Sequence, residues 1–546
     1  MIAREKHPRP HQGWVTFGLP CLIVLLGAGL RLYDLGAESY WYDEMITVRI
    51  AADGLPAVLD SFFFRARPPL HLLLASLWMR TAGTTEFSVR YLSAFAGTAS
   101  IAAIYVVGWR LFSRRVGLVG AFLMALSEFQ IWYAQEGRYY ALLVLLTLVS
   151  FYLLTRASGR SRPSAWTFLT VVNILLIFTH TFAVFTILAQ GLYLAVTRWR
   201  RGRNTLLGWA ISQVVVLFLA SPSFYVIARD SLGGGFGPMS WIGEPNLRVL
   251  GETLLIYVGS NYPSLGTVVA ALGFLATVAL LAWLVGAEER SRPRHPLVRC
   301  LAYVADHKSH LLYLALWLAC LWMLPWLISR LVQPIYAVRY TIGASPALYL
   351  LLAVGIAAAD TFLPTAAILG AFVILVVPGL VDYYDADIKE NWRGAAEYVD
   401  ERVRPGDAVV APPAVFGRDA FDWYYEGPIR ECDMDPQKRD GESVVAIARM
   451  CAGGGGRLWL VLRQLPLQGR RLHQADWRKS DLQLLDHIEF EGVSVYLFVS
   501  AGDRGDTGCG STQVSDYCCC RSSCRFFPGW EGYGGRAWGV QAAARL

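Results

Sequence analysis

The feature that most limits what this chain can fold into is a succession of nearly uncharged apolar runs, each close to the length of a bilayer crossing. The first extends from Trp14 to Leu32, and comparable runs recur as far as Val381. A helix needs roughly 20 predominantly apolar residues to cross the hydrocarbon layer. The composition is of the same kind, with 55% of the 546 residues hydrophobic and 17% charged. Soluble domains carry about a quarter charged residues. A transmembrane barrel would show short segments of alternating apolar and polar residues, a pattern the sequence lacks. The expected fold class is an α-helical polytopic membrane protein.

Helices are expected near 14–33, 88–110, 116–127, 138–156, 165–179, 182–198, 205–228, 264–287, 310–329, 344–359 and 363–381, about eleven spans in all. The first run follows Arg4, Lys6 and Arg9, as a signal peptide would. It is longer than a signal core and lacks a small-residue cleavage site before Arg31–Asp34, so it reads as a retained helix. The net charge of +7 is not gathered into a nucleic-acid-binding face. Arginines cluster between the apolar runs: Arg110, Arg114 and Arg115; Arg156, Arg160 and Arg162; Arg198, Arg200, Arg201 and Arg203; Arg290, Arg292, Arg294 and Arg299 with Lys308. With a cytoplasmic N-terminus all of them fall on the cytoplasmic side, as the positive-inside rule requires. The expected location is the cell membrane, crossed many times, with no nucleic-acid partner.

Three segments are expected: a transmembrane domain at 1–384, a small extracytoplasmic α/β domain at 385–500 and a disordered tail at 501–546. In the second, Asn391–Val403 has a helical pattern, Pro405-Gly406-Asp407 reads as a turn, and Ala408–Ala411, Leu458–Leu462 and Val493–Val499 read as strands. This domain is expected to cover the outside cavity or to contact acceptor. The tail is rich in Gly, Ser and Cys and has no periodicity that would bury a core. Its Cys518-Cys519-Cys520 run also allows a metal site, though without paired CxxC motifs, or a reading-frame accident. Cys21, Cys300 and Cys320 read as inert membrane thiols. Cys432 and Cys451 could pair in an oxidising compartment.

The first external loop, 34–87, is long and not simply polar. Leu70–Met79, opened by Pro68-Pro69, is expected to form a helix lying in the interface, or else a short extra span. Just before it, Tyr40-Trp41-Tyr42-Asp43-Glu44 places an acidic pair beside aromatic anchors. That pair is either a solvated loop or a general base at the membrane surface, its pKa raised by partial burial. Under the same topology, other polar residues mark the outer ends of helices: Arg65, Arg67, His71, Arg90, Gln135, Glu136, Arg138, Tyr139, Tyr140, His180, Tyr336, Arg339 and Tyr340. Singly these read as snorkelling or capping residues. Together they suit an anionic phosphate and a sugar, because a guanidinium forks onto phosphate and a carboxylate can take a hydroxyl proton. Asp43, Glu44, Glu136 and His180 could in principle hold a divalent cation.

Several motifs carry a resemblance. Trp41-Tyr42-Asp43-Glu44, Arg67-Pro68-Pro69-Leu70-His71, Glu86-Phe87-Ser88-Val89-Arg90, Tyr133-Ala134-Gln135-Glu136-Gly137-Arg138-Tyr139-Tyr140, Thr179-His180-Thr181-Phe182, Tyr336-Ala337-Val338-Arg339-Tyr340 and Glu390-Asn391-Trp392-Arg393-Gly394-Ala395-Ala396 occur in this order. In order and spacing they resemble GT-C-fold glycosyltransferases, those of bacterial family 39 related to protein O-mannosyltransferases and aminoarabinose transferases. The resemblance implies a GT-C membrane domain, a polyprenyl-phosphate sugar donor, a glycan, lipid or protein acceptor, and inverting transfer outside the cytoplasm. It implies Asp43 as base and Arg67, Arg138 or Arg339 as stabilisers of the leaving phosphate. Glu44 would orient the acceptor, bind an ion or face water.

Two other classes make different demands on the same spans. A transporter or flippase would place polar residues at the bilayer midplane on broken helices, whereas here they sit at the ends of the spans. A non-catalytic membrane subunit would tolerate changes at Asp43 and Arg339.

Overall fold

The computed structural model describes residues 18–160, 163–198, 203–232, 242–259, 296–357, 362–411, 418–430, 457–463 and 482–500. The expected span at 264–287, the Cys432–Cys451 pair and the tail at 501–546 lie outside the described residues. The chain forms two units, Met1–Glu38 with Asp43–Asp387, and Ser39–Tyr42 with Ile388–Leu546.

The first unit is helical. Among the described residues six helices are long and apolar enough to cross a membrane: Glu86–Leu111, Tyr140–Ser158, Thr205–Arg229, His307–Leu331, Val338–Ala357 and Leu363–Asp385. The pair Arg114–Leu126 and Glu128–Ala134, bent by 64°, is either a seventh, broken span or a re-entrant loop. Shorter apolar helices occupy Leu19–Leu32, Ser164–Ile177 and Ala183–Thr197. The protein is a multi-pass membrane protein. The helix expected at 116–127 is found as Arg114–Leu126, and a second piece, Glu128–Ala134, follows the break at Ser127. Its hydroxyl accepts from Gln130 N at 3.3 Å and so starts the second piece. The bend leaves carbonyls at the end of the first piece without helical partners. Arg31, fully buried, supplies them: Nη1 donates to Ala125 O at 3.2 Å and Nη2 to Met124 O at 3.1 Å. Close packing of Glu86–Leu111 on Arg114–Leu126 needs Gly117, where a Cβ would lie 2.4 Å from Tyr105 O.

The first loop holds three helices rather than one: α1 (Tyr42–Ala52), α2 (Leu55–Arg65) and α3 (Pro69–Ala82). Proline starts the last two, Pro56 and Pro69 lying in their first turns, where a missing N–H costs nothing. The acidic pair therefore lies in the first turn of a helix, not in a loop. Deeper in the unit, Ser150, Asn173, Gln190 and Gln213 form one buried network across four helices, with contacts of 2.5, 2.7, 3.1 and 3.4 Å. In hydrocarbon such side chains hold helices together.

The second unit contains a four-stranded sheet. Strands β1 (Ala408–Val410), β2 (Arg457–Arg463), β3 (Leu482–Phe490) and β4 (Val493–Ser500) run in the order β1-β2-β4-β3. β1 pairs with β2 in parallel, and the other pairings are antiparallel. Helix α4 (Trp392–Asp400) begins at Asn391, whose Oδ1 accepts from Gly394 N at 2.8 Å. Trp392, Val409 and Trp459 lie in the core.

Candidate active site

Because α1 starts at Tyr42, Asp43 and Glu44 sit side by side in its first turn and point about 100° apart around the axis. Their surroundings differ accordingly. The Asp43 carboxylate stays partly open, with its side chain 20% exposed, and its Oδ2 lies 3.4 Å from Arg339 Nη1. Its main-chain oxygen accepts from Arg138 Nη1 at 2.8 Å, and Thr47, one turn on, accepts from the same nitrogen at 3.0 Å. Ser93 Oγ donates to Arg138 O at 2.8 Å and fixes that residue's backbone.

Aromatic rings link the two arginines. Arg138 lies over Tyr139 at 4.9 Å and Arg339 over Tyr340 at 5.6 Å. The His180 ring lies between those tyrosines, with centroids 4.9 Å from each. His71 meets the edge of Tyr139 at 6.5 Å. Both imidazoles are neutral: burial first, then Arg138 beside His71, and Arg138 and Arg339 beside His180, push each pKa down to about 3. His180 Nδ1 accepts from Phe182 N at 3.1 Å, so in the neutral ring the proton is on Nε2. Asp43, Arg138 and Arg339 thus combine one carboxylate with two guanidiniums, a balance that favours an anion. Arg138 Nε and His71 Nε2 are buried without a hydrogen-bond partner among the described residues. Buried polar atoms of this sort mark places where a ligand can make the missing bond.

The depressed histidine pKa values carry a stability consequence. The unfolded chain binds protons below about pH 6.5 while folded His71 and His180 stay neutral, so stability is full above 6.5 and falls as the pH approaches 3. Each histidine contributes a slope of about 1.4 kcal/mol per pH unit in that window. Thermal unfolding in detergent from pH 7 to 5 should show the midpoint falling on acidification, and His71→Gln should flatten the dependence.

Several of the other expected site residues have partners within the fold. Glu44 does not face water. It is fully buried, accepting from Arg90 Nε at 2.9 Å, Arg90 Nη2 at 2.7 Å and Gly137 N at 2.7 Å. Arg90 is consumed by this pair and by Leu35 O and Glu38 O, at 3.1 and 2.8 Å, which leaves it no reach to a phosphate. Gln135 closes the end of Leu19–Leu32, donating to Tyr33 O at 2.7 Å and accepting from Tyr383 Oη at 2.6 Å. Glu136 accepts from Trp132 Nε1 at 2.8 Å. Tyr336 is buried, its Oη 2.8 Å from Thr253 Oγ1. Its backbone N donates to Ser329 Oγ at 2.7 Å, which anchors the stretch leading to Arg339. Arg65 is exposed, with its Nε 4.0 Å from Asp60 Oδ2, while Arg67 is half-buried with its backbone N–H on Ser61 O. The proposed divalent-ion set does not converge, and no group of three His, Cys, Asp or Glu suited to a metal occurs among the described residues. Thr47 and Ser93 were not foreseen. Only the four-residue spacing of Thr47 from Asp43 could have signalled the first.

Residues 66–226 match the family model for dolichyl-phosphate-mannose-protein mannosyltransferases. That segment contains His71, Arg138 and His180. Among solved structures, ArnT from Cupriavidus metallidurans in the apo state aligns with a TM-score of 0.57 at 14% identity, covering 90% of this chain and 98% of that one. The chain has the GT-C fold. The same ArnT bound to undecaprenyl phosphate aligns at 0.56 and 13% identity, covering 89% and 98%. The apo oligosaccharyltransferase of Archaeoglobus fulgidus aligns at 0.49 and 12% identity, covering 83% and 70%. A search of curated proteins finds no relative by sequence.

Proposed function

We propose that this chain is an inverting glycosyltransferase that moves a sugar from a polyprenyl-phosphate donor to an acceptor hydroxyl at the outer face of the membrane. The observation that carries the reading is the Asp43 carboxylate facing Arg339, with Arg138 on the main-chain oxygen of the same residue, in a chain of GT-C fold. The acceptor oxygen attacks the anomeric carbon while Asp43 takes its proton. The bond from that carbon to the phosphate oxygen breaks, and its electron pair leaves on the phosphate. The transition state is oxocarbenium-like, as in glycoside hydrolysis. Arg138 and Arg339 stabilise the charge that grows on the leaving group. A phosphate leaves without full protonation, so one carboxylate suffices. His71 and His180, neutral, donate or accept hydrogen bonds without cancelling the donor's charge. An undecaprenyl-phosphate complex of the similarly folded ArnT supports a lipid of that class.

The orientation follows the arginine clusters, with the N-terminus cytoplasmic and residues 385–500 extracytoplasmic. The domain limits 1–384, 385–500 and 501–546 belong to the same proposal. Mass spectrometry of envelope glycans from a strain lacking the protein tests the function. One sugar should disappear from its acceptor, its lipid-linked form should accumulate, and the wild-type gene should restore both. An unchanged glycan and lipid profile would sink the proposal.

A further inference from the structure

One buried hydroxyl beside the arginines takes no part in the steps above. Tyr140 opens the helix Tyr140–Arg160, and its side chain is 1% exposed. Its ring packs against two others: Tyr133 meets it edge-on with centroids 4.8 Å apart, and Tyr139 lies 4.6 Å away at 55°. These contacts hold the ring by its carbons. The Oη atom has no hydrogen-bond partner among the described residues. A buried phenol ordinarily finds one, and leaving it unmade lowers stability. The position is one where charges gather. Arg339 has Tyr140 and then Asp43 as its strongest titratable neighbours, and Tyr140 also lies within electrostatic reach of Arg138. All of these residues belong to the first unit.

The donor inventory says what the hydroxyl lacks. Guanidiniums only donate, so neither arginine can accept the phenol proton. Arg138 Nε, also buried without a partner among the described residues, needs an acceptor too. His71 Nε2 is in the same condition, and its ring lies in reach of Arg138. A cation would satisfy none of these donors. An oxyanion, with several acceptor oxygens and an attraction to both arginines, can satisfy the phenol and the guanidinium together. A phenol is suited to that task beside two cations, because it donates without adding a third positive charge.

We propose that Tyr140 Oη donates a hydrogen bond to a non-bridging phosphate oxygen of the lipid-linked donor, a third contact beside Arg138 and Arg339. This rests on the reading that those two arginines hold the donor phosphate. The proton stays on the phenol throughout. As the bond from the anomeric carbon to the phosphate oxygen breaks, negative charge grows on the phosphate and the hydrogen bond strengthens. The hydroxyl therefore stabilises the transition state more than the bound donor.

Tyr140→Phe removes only that oxygen. With the full chain in nanodiscs and a polyprenyl-phosphate sugar donor, kcat should fall by about 10- to 100-fold, the range for a hydrogen bond to a charged group. Affinity for undecaprenyl phosphate, which carries the charge of the leaving group, should fall by about 10-fold. Affinity for undecaprenol, which lacks the phosphate, should not change. The thermal unfolding midpoint should hold or rise, because the lost hydroxyl bonds no described residue of the fold. Tyr383→Phe is the contrast. Its hydroxyl donates to Gln135 Oε1 at 2.6 Å, so the substitution should lower the midpoint and leave undecaprenyl phosphate affinity as it was. Wild-type affinity for undecaprenyl phosphate in Tyr140→Phe, an equal loss for undecaprenol, a lowered midpoint, or the same loss of affinity in Tyr383→Phe would each overturn the assignment. Arg339→Gln isolates the reading beneath it. Undecaprenyl phosphate binding that survives Arg339→Gln overturns the phosphate site itself, whereas binding lost there but kept in Tyr140→Phe overturns the hydroxyl alone.

Discussion

Asp43→Asn should abolish sugar transfer, lowering kcat by about 10³-fold or more, while the donor lipid still binds. General-base catalysis contributes roughly 10²- to 10⁴-fold, and an amide cannot take the acceptor proton. The substitution keeps the size of the side chain and leaves the main-chain oxygen that receives Arg138 Nη1 untouched, so the geometry of α1 survives. What it removes besides the base is the charge that faces Arg339 at 3.4 Å. Relieved of that partner, Arg339 is freer to meet the donor phosphate, so donor affinity should hold or rise. Steady-state transfer of a labelled sugar, paired with equilibrium binding of the donor lipid, separates the two effects. Undiminished turnover would remove Asp43 as the base. Lost binding together with lost turnover would make it a donor ligand instead.

Much of this architecture was legible in the sequence because bilayer crossing is a property of composition. Length and apolarity alone mark Glu86–Leu111, Tyr140–Ser158 and Leu363–Asp385. The helices of the first loop were harder to read. α1 opens at Tyr42 behind Tyr40 and Trp41, with no Ser, Thr, Asp or Asn directly before it to announce a helix start. Without that helix start, Asp43 and Glu44 look like equivalent neighbours. β3 was missed for a different reason. Its alternation breaks at Leu484-Leu485, and the pairing with β4 shifts register between Leu484 and Asp486, as a bulge does. Among the site residues, Arg138, Arg339, His180, Tyr139 and Tyr340 stood out as polar groups at the ends of apolar runs, and the structure brings them together. Arg90, Gln135 and Glu136 stood out in the same way but serve the fold. A charge at the end of a span announces that it has a partner without revealing whether the partner is a ligand or the protein.

Arg90 and Glu44 carry the largest stability effect. Both side chains are sealed from solvent, at 1% and 0% exposure, and joined by two parallel hydrogen bonds. Removing one partner strands the other charge, a loss of about 3–5 kcal/mol for a buried pair. Arg90→Met and Glu44→Met should therefore each unfold readily in a denaturation series in mixed detergent. Replacing both with methionine exchanges the pair for apolar volume, which costs far less than the sum of the single changes. Gly137 N would lose its acceptor in that variant, so recovery should be partial. Activity per folded molecule decides what Glu44 does. Gly137, held by Glu44, immediately precedes Arg138, and Glu44 shares a turn with Asp43. The pair therefore ties the helix of Asp43 to the loop of Arg138. If its role is that brace, the double variant should recover kcat to within about tenfold of wild type along with its stability. If Glu44 handled the acceptor or its proton, the double variant would be stable and inactive. A double variant as unstable as the summed singles would show that the two residues do not act as a pair.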